Sequence, residues 1–180
     1  EQTAANEITG MRRTRGWTDN QYVYFVAQFS KPFQAIDFIQ NKKMVSAGVK
    51  LNGTDLQACL SFDNSNGEPV IAKVGLSIVS EKNARENLET EVIGFDFDAV
   101  RSAARSAWEQ ALSAITVEGG NTDDLKNFYT AMYHSMVVPN VVSDVNGEYR
   151  RHNMEVGQLP KGKVQYSTFS LWDTFRAWNP

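Results

Sequence analysis

The chain has 180 residues, of which 42% are hydrophobic and 22% are charged, with a formal net charge of −3 and a pI near 5.4. This is the composition of a globular protein, and the length allows one large domain or two small ones. The excess of acidic over basic residues argues against a nucleic-acid partner. The single cysteine excludes an intrachain disulfide and a thiolate metal site. No apolar stretch approaches the roughly 20 residues of a membrane span.

The first half of the sequence has the pattern of β-strands. Residues Gln21–Phe29 are β-branched and aromatic on both faces, as in a strand covered on two sides. After a turn predicted at Asn52-Gly53, apolar and polar residues alternate over Leu56–Phe62, which predicts a half-buried strand, and again over 70–78. Roughly four or five strands are predicted, which suggests a β-sandwich or part of one, since a self-sufficient sandwich has about seven.

The periodicity becomes helical after Ser80. This serine is the predicted N-cap of the helix "EKNARENLETEV", whose first turn is acidic. A longer helix with apolar residues at helical spacing over 100–115 is predicted to begin at Asp96 or Asp98 and to end at Gly119-Gly120. The chain therefore changes from β to α near residue 95, and the predicted fold class is α+β.

A third helix is predicted to begin at Asn121 or Thr122 and to end before Pro139. Its His134, like His152 further on, has no Cys or His at metal-ligand spacing, so a packed or hydrogen-bonded role is predicted for it.

The segment from residue 140 onward combines loops with a possible last helix. In "SDVNGEYR", Asn146-Gly147 predicts a hairpin turn. A calcium loop of the EF-hand type that begins at Asp144 is rejected, because its sixth position would be Tyr149, where a glycine is needed. The string "STFSLWDTFRAW" predicts a helix capped by Ser167 or Ser170.

Within that string, Trp172 and Asp173 are the candidate site residues. A sugar presents apolar C–H faces and hydroxyl edges, so its sites pair an indole platform with a carboxylate that accepts hydroxyl hydrogen bonds. The alternative from the residues alone is that Phe169, Trp172 and Phe175 form one core-facing side of a helix, with Asp173 as an acid of the first turn. The residue pattern alone does not decide between the sugar-binding pair and the core-facing helix.

Several strings, in the same order along the chain, closely resemble the calcium-dependent α-mannosidases of glycoside hydrolase family 92. The resemblance covers nearly the whole chain, and "SLWDTFR" is its most specific part. The strings are "RRTRGW" and "VYFVAQFSKPF" within 12–33, "SIVSEKNARENLETE" at 77–91, "FYTAMYHSMVVPNVVSDVNGEYR" at 128–150 and "YSTFSLWDTFRAWNP" at 166–180.

The resemblance implies a division into three parts. Residues 1–94 would be the later strands of an N-terminal β-sandwich domain, 95–120 a helical linker, and 121–180 the first elements of an (α/α)6 catalytic barrel. The chain would then be a fragment, and its aromatic end a surface that the rest of the barrel covers. An exposed apolar patch and self-association of the isolated chain are expected from this.

The resemblance also implies a function, namely part of an inverting exo-α-mannosidase, with α-1,2-linked mannose of glycans as substrate. The two carboxylates and the calcium site would come from later barrel segments, so no catalytic or metal-binding residue is assigned in this chain, and the fragment is expected to be inactive alone. The enzyme would be periplasmic or secreted, with the remainder of its own barrel as partner.

The residue roles that the resemblance implies are confined to the end of the chain. Trp172 would form the wall of a mannose pocket and Asp173 would bind hydroxyls, while Arg176 would orient Asp173 or pack. Trp17 is a weaker candidate for a contact between the two domains. Asn179 stands where the family pattern has a histidine, which puts ligand contacts or specificity there in question.

Two other functions remain as alternatives. One is a complete, non-catalytic β-sandwich module that binds carbohydrate or protein, for which about seven strands are needed. The other is a structural α+β domain with no ligand, which is favoured only if Trp172 and Asp173 are buried without a cavity.

Overall fold

The computed structural model of the protein describes residues 1–16, 19–45, 48 and 50–168. Within these ranges, seven strands precede three helices and a final pair of strands. In chain order they are β1 (Gln2–Ala4), β2 (Glu7–Thr14), β3 (Gln21–Phe29), β4 (Phe33–Gln40), β5 (Lys43–Val45), β6 (Leu56–Phe62), β7 (Ala72–Ser77), α1 (Glu81–Glu91), α2 (Phe97–Leu112), α3 (Thr122–Met136), β8 (Glu148–Arg150) and β9 (Val156–Gln158).

The first sheet is antiparallel, with the strand order β1-β2-β3-β7. The β-branched and aromatic strand β3 lies inside it, and Val26 of β3 is opposite Thr9 of β2 and Gly75 of β7. Because successive side chains of a strand point to opposite faces, these three residues share one face of the sheet.

Helix α1 packs on this face of the first sheet. Ser80 caps the helix by accepting a hydrogen bond from Asn83 N. The core beneath the helix consists of Val26, Ala84 and Leu88, which are 0%, 0% and 1% exposed. Strand β7 has Gly75 at the contact, where no side chain separates the helix from the strand.

The second sheet is also antiparallel and has the order β5-β4-β6. A cluster of Phe29, Phe33 and Phe62, with ring centroids 5.3 to 5.5 Å apart, connects β3 to it. Most residues of β6 are exposed, so the prediction of a half-buried strand at Leu56–Phe62 is wrong about burial, although the bounds are confirmed.

Helices α2 and α3 are amphipathic but lie on the surface. Asp96 and Asn121 cap them, as predicted. Both helices lie within the described ranges, and none of their residues is buried. Trp108 and Tyr133 contact each other with ring centroids 4.6 Å apart. The apolar stripes of both helices therefore remain largely in contact with solvent.

An apolar face of the first sheet is exposed as well. Val74 and Leu76 of β7 point away from α1 and are 54% and 57% exposed. The described residues therefore expose apolar side chains on this face of the sheet, while the contiguous apolar patch expected from the sequence stays a prediction.

Three expectations from the sequence need correction. The described residues contain seven strands before α1, where roughly four or five were expected. Helix α2 ends at Leu112 rather than at Gly119-Gly120, because the β-branched residues 115–117 that follow favour extended backbone. Asn146-Gly147 forms a turn before β8, whereas the β8–β9 hairpin is closed by residues 151–155.

The fold class is confirmed as α+β, with antiparallel sheets followed by helices. The expected division at residues 94 and 95 stays a prediction. No helix among the described residues is both long and apolar enough to cross a membrane.

Candidate functional site

The predicted site residues Trp172 and Asp173 lie outside the described residues, as do Trp17, Arg176 and Asn179. The structure does describe the segment that leads to them, residues 140–168. The geometry of this segment and of its contacts with α1 and the first sheet defines the candidate site.

Residues 140–143 pair with residues 165–167 in antiparallel fashion. Val141 and Tyr166 form the bridge, Val142 N donates to Gln165 O at 2.8 Å, and Ser167 N donates to Asn140 O at 2.7 Å. The Ser143 hydroxyl accepts from Gln165 N at 3.0 Å. This pairing fixes the course of the backbone shortly before the predicted sugar-binding pair.

The next residue after this pairing, Asp144, has a buried carboxylate. It is 7% exposed and accepts three hydrogen bonds of 2.7 Å, from the Ser77 hydroxyl, Asn83 Nδ2 and Asn87 Nδ2. A buried carboxylate is costly unless such donors replace water. Since three donors already occupy its oxygens, Asp144 acts here as a structural anchor and not as a free acid or base.

The two asparagines belong to one face of α1, one helical turn apart. Asn83 Nδ2 also donates to Glu148 Oε2 at 2.7 Å, and its Oδ1 accepts from the Ser80 hydroxyl at 2.9 Å. Asn87 Nδ2 donates to Leu76 O at 2.8 Å, and its Oδ1 accepts from Val145 N at 2.9 Å. Both amides are therefore fully used as donors. We call Ser77, Asn83, Asn87, Asp144 and Glu148 the junction cluster.

Arg150 of β8 gives a second attachment, to β3 and to the loop between β7 and α1. Its guanidinium donates to Ile78 O at 2.7 Å and to Val79 O at 3.0 Å, and also to Met154 O at 2.9 Å. The same group lies over the ring of Tyr22 in β3, 5.4 Å from the centroid. Such a cation–π contact adds to the hydrogen bonds.

A third polar contact connects α1 to β2. Arg85 donates to both oxygens of the buried Glu7, at 2.6 Å for Nη1 to Oε2. Gln28 and Thr3 donate to the same carboxylate. The Arg85 hydrogen bonds, against the opposing effect of burial, lower the pKa of Glu7 to about 2.

A groove of about 430 Å³ lies beside the paired segment. It is lined by Glu91 of α1, by Val141 and residues 143–147, and by residues 158–164, including Asp144, Lys161 and Lys163. Within the described ranges, no group of three or more His, Cys, Asp or Glu residues is placed to hold a metal. His134 and His152 are both exposed, and His134 contacts the ring of Tyr133.

The junction cluster was not identified from the sequence. Asp144 was considered only as part of a calcium pattern, and its actual partners lie more than fifty positions earlier in the chain. The available signal was the pair Asn83 and Asn87, since two asparagines on one helix face are unfavourable in a solvated helix and need a reason.

Comparison with known protein families matches both parts of the chain. Residues 1–77 match the glycosyl hydrolase family 92 N-terminal domain, and residues 83–180 match the glycosyl hydrolase family 92 catalytic domain. The junction cluster therefore connects Ser77, at the end of the first match, to residues of the second.

Solved structures agree with these matches. The GH92 α-mannosidase BT3965 from Bacteroides thetaiotaomicron superposes with a TM-score of 0.88 at 33% identity, over 98% of this chain and 24% of that one. Its complex with mannoimidazole gives a TM-score of 0.87. The GH92 inverting mannosidase BT2199 from the same species has a TM-score of 0.81 at 23% identity, over 96% of this chain and 24% of that one. At this identity the similarity shows a shared fold and nothing more.

A curated relative from Arthroderma benhamiae, named an uncharacterized secreted glycosidase, is 34% identical over 77% of this chain and 18% of its own length. The chain thus spans about a quarter or less of the length of these relatives. With both domain profiles matched in order and the fold shared along nearly the whole chain, the protein belongs to glycosyl hydrolase family 92.

Proposed function

We propose that this chain is part of an exo-α-mannosidase that hydrolyses the α-mannosides of glycans. The observation that carries the proposal is the shared fold and 33% identity with a GH92 α-mannosidase that has also been solved with mannoimidazole. Because the chain covers only 24% of that protein, the activity belongs to the longer enzyme to which this chain contributes.

Trp172 and Asp173 are the substrate-binding residues in this proposal. An indole offers a large apolar surface to the C–H face of a mannose ring, and a carboxylate accepts stronger hydrogen bonds from sugar hydroxyls than a neutral group does. The pairing of 140–143 with 165–167 supports it, since it gives the backbone just before these residues a defined course.

Hydrolysis with inversion is proposed for the reaction, and α-1,2-linked mannose for the substrate. Inversion needs one carboxylic acid to protonate the leaving oxygen and a second carboxylate to activate water, roughly 6.5–9.5 Å apart. Both groups are assigned to barrel segments outside this chain, so the chain alone should be inactive.

Calcium is proposed as the metal of the longer enzyme. The described residues do not fit such a site, since none of their His, Cys, Asp and Glu side chains form a group of three that could hold an ion. The carboxylate of Asp144 already accepts three hydrogen bonds. The calcium ligands are therefore assigned to other segments.

The domain division and the location of the protein complete the proposal. Residues 1–94 are assigned to a partial β-sandwich, 95–120 to a helical linker and 121–180 to the start of an (α/α)6 barrel. A secreted or periplasmic location is supported by the name of the Arthroderma relative.

A non-catalytic β-sandwich module that binds carbohydrate or protein is the second candidate. The observation in its favour is the seven strands that precede α1 in the described residues, about the number of a complete sandwich. The exposed apolar face at Val74 and Leu76 argues against it, because a complete sandwich covers such a face.

The test is the release of mannose from an α-1,2-mannobioside by the full-length enzyme, with calcium and then with a chelator. Mannose release that is lost on chelation, and a first-formed β-anomer observed by NMR, are expected. The 180-residue chain should release none in either condition. Absence of release by the full-length protein with calcium, on any α-mannobioside, would contradict the proposal and favour the binding module.

A further inference from the structure

We propose that Asn52 is a modification site, at which the chain deamidates spontaneously to aspartate and isoaspartate. The sequence has three Asn-Gly pairs, which begin at Asn52, Asn66 and Asn146. The structure separates them, because hydrogen bonds hold the reacting groups of two pairs and not those of the first. The inference goes beyond the proposed function and does not depend on it.

The reaction takes place between an asparagine side chain and the backbone nitrogen of the next residue. That nitrogen loses its proton and attacks the Cγ carbon. The C–N bond to the side-chain NH2 group breaks, and this group takes up a proton and leaves as ammonia while a succinimide ring closes. Water then opens the ring at either carbonyl, which gives aspartate or isoaspartate. A following glycine favours the attack because it has no Cβ in the way, whereas hydrogen bonds to the reacting groups slow the attack because they must break first.

The pair at Asn146 is held at both of its reacting groups. Its side-chain Oδ1 accepts from Glu148 N at 2.9 Å, and its Nδ2 donates to Glu86 Oε2 at 3.2 Å. The attacking nitrogen, that of Gly147, donates to Asp144 O at 2.8 Å. Both residues of the pair are also half-buried. Asn146 is therefore expected to deamidate slowly.

The pair at Asn66 is exposed but is held in the same way. Its Oδ1 accepts from Lys31 Nζ at 3.0 Å and from Glu68 N at 3.2 Å, and its Nδ2 donates to Glu68 Oε2 at 3.0 Å. The nitrogen of Gly67 donates to Asn64 O at 3.0 Å. Exposure alone therefore does not distinguish this pair from the one at Asn52.

The pair at Asn52 has neither restraint. It lies in the loop between β5 and β6, and both Asn52 and Gly53 are exposed. Within the part of the chain that the structure describes, no residue forms a hydrogen bond with the Asn52 carboxamide or with the Gly53 N–H. Deamidation here adds one negative charge to a chain whose formal net charge is −3, so a more acidic form of the protein should accumulate with time.

The test is peptide mapping by mass spectrometry of the full-length enzyme, incubated at mildly alkaline pH, where the attacking nitrogen loses its proton more readily. Chromatography separates the asparagine, aspartate and isoaspartate forms of each peptide. Conversion at Asn52 is expected to be at least about tenfold faster than at Asn66 and Asn146, since each hydrogen bond that must break first slows the attack by up to roughly this factor.

The same protein unfolded in guanidinium chloride is the matched control. All three asparagines precede a glycine, so their rates should become similar once the folded contacts are lost. Lys31→Met in the folded protein is the second control. It removes one hydrogen bond from Asn66 Oδ1, so conversion at Asn66 should become severalfold faster while the rate at Asn52 stays unchanged.

Two results would overturn the inference. One is conversion in the folded protein that is no faster at Asn52 than at Asn66 or Asn146. The other is an equal advantage of Asn52 in guanidinium chloride, which would place the cause in the neighbouring sequence and not in the fold. Because conversion is measured on peptides, a failure to release mannose would overturn the proposed function and leave the assignment of Asn52 as it stands.

Discussion

Glu7 is a buried carboxylate that illustrates how single residues connect the two family segments. It is 4% exposed and lies in β2, within the match to the N-terminal domain, whereas its partner Arg85 lies within the match to the catalytic domain. The pair can be broken without changing an apolar core residue. It therefore offers a clean measurement of electrostatic coupling.

The stability of the chain should depend on the ionisation of Glu7. Its pKa is lowered from 4.5 to about 2 by the Arg85 hydrogen bonds, so the stabilisation is fully present above pH 4.5 and is lost as the pH falls through about 2. The shift corresponds to on the order of 3 kcal/mol, reduced by solvent around Arg85, whose side chain is 37% exposed.

Arg85→Met is expected to lower the unfolding free energy at pH 7 by about 1–2 kcal/mol, less than the full shift because solvent screens Arg85 and because Thr3 and Gln28 still donate to the carboxylate. The difference between wild type and variant should shrink from pH 5 to pH 2, as followed by thermal unfolding in circular dichroism. Arg105→Met is the control, since its ion pair with Glu109 is 79% and 63% exposed and an ion pair in solvent contributes little to stability. Equal effects of both variants at pH 7 would contradict this account.

At the scale of elements, the packing of α1 on β7 depends on one glycine. A Cβ at Gly75 would lie 2.2 Å from Ala84 O and 2.6 Å from Leu88 Cβ. The first of these is a backbone atom, so the clash cannot be relieved by a side-chain rotation. The approach of the helix also lets Asn87 donate to Leu76 O and Asp144, so the glycine and the junction cluster are coupled.

Gly75→Ala should therefore destabilise the chain by about 1–3 kcal/mol, the usual cost of overpacking a tight contact. Gly16→Ala is the matched control, because a Cβ there has no neighbour within 4 Å and its effect should stay within about 0.5 kcal/mol. Urea unfolding of both variants measures the difference. A loss in Gly75→Ala no larger than in Gly16→Ala would show that α1 can move away from the strand at little cost.

The elements that the sequence predicts well are those whose pattern is local. Strand β3 has β-branched and aromatic residues on both of its faces, and α1 and α3 have their predicted caps, Ser80 and Asn121, at the expected positions. Strand β2 was missed, because the face it buries contains Glu7 and Thr9, and a buried glutamate is explained only by Arg85 from far along the chain.

The candidate site shows the same limit. The pair Trp172 and Asp173 is predicted from a sequence string and lies outside the described residues, so it stays a prediction. The junction cluster could not be found locally, because Ser77, the two asparagines and Asp144 come from a strand end, a helix face and a loop. Only the packing of α1 on the first sheet brings them together.

At the scale of the whole molecule, the described residues bury few apolar side chains relative to the number they expose. The buried apolar residues are Val26, Ala27, Phe38, Val79, Ala84 and Leu88. By contrast, Leu76 of the first sheet, Phe97 of α2 and Tyr133 of α3 are 57%, 65% and 40% exposed. Monomeric soluble proteins rarely expose contiguous apolar patches larger than a few hundred Å². These faces are consistent with a chain that spans 24% of a GH92 mannosidase.

The isolated 180-residue chain is therefore expected to self-associate, because its exposed apolar faces can be covered only by other copies. Sedimentation velocity over a hundredfold range of concentration should reveal species heavier than the 20.2 kDa monomer, in proportions that rise with concentration. Val74→Thr with Leu76→Thr should reduce this association, since both residues point to solvent and threonine keeps a β-branched side chain.

The double variant Phe97→Gln and Val100→Gln measures the contribution of α2 separately from that of the sheet. A monodisperse monomer at high concentration would contradict the expectation and would instead favour a self-sufficient binding module.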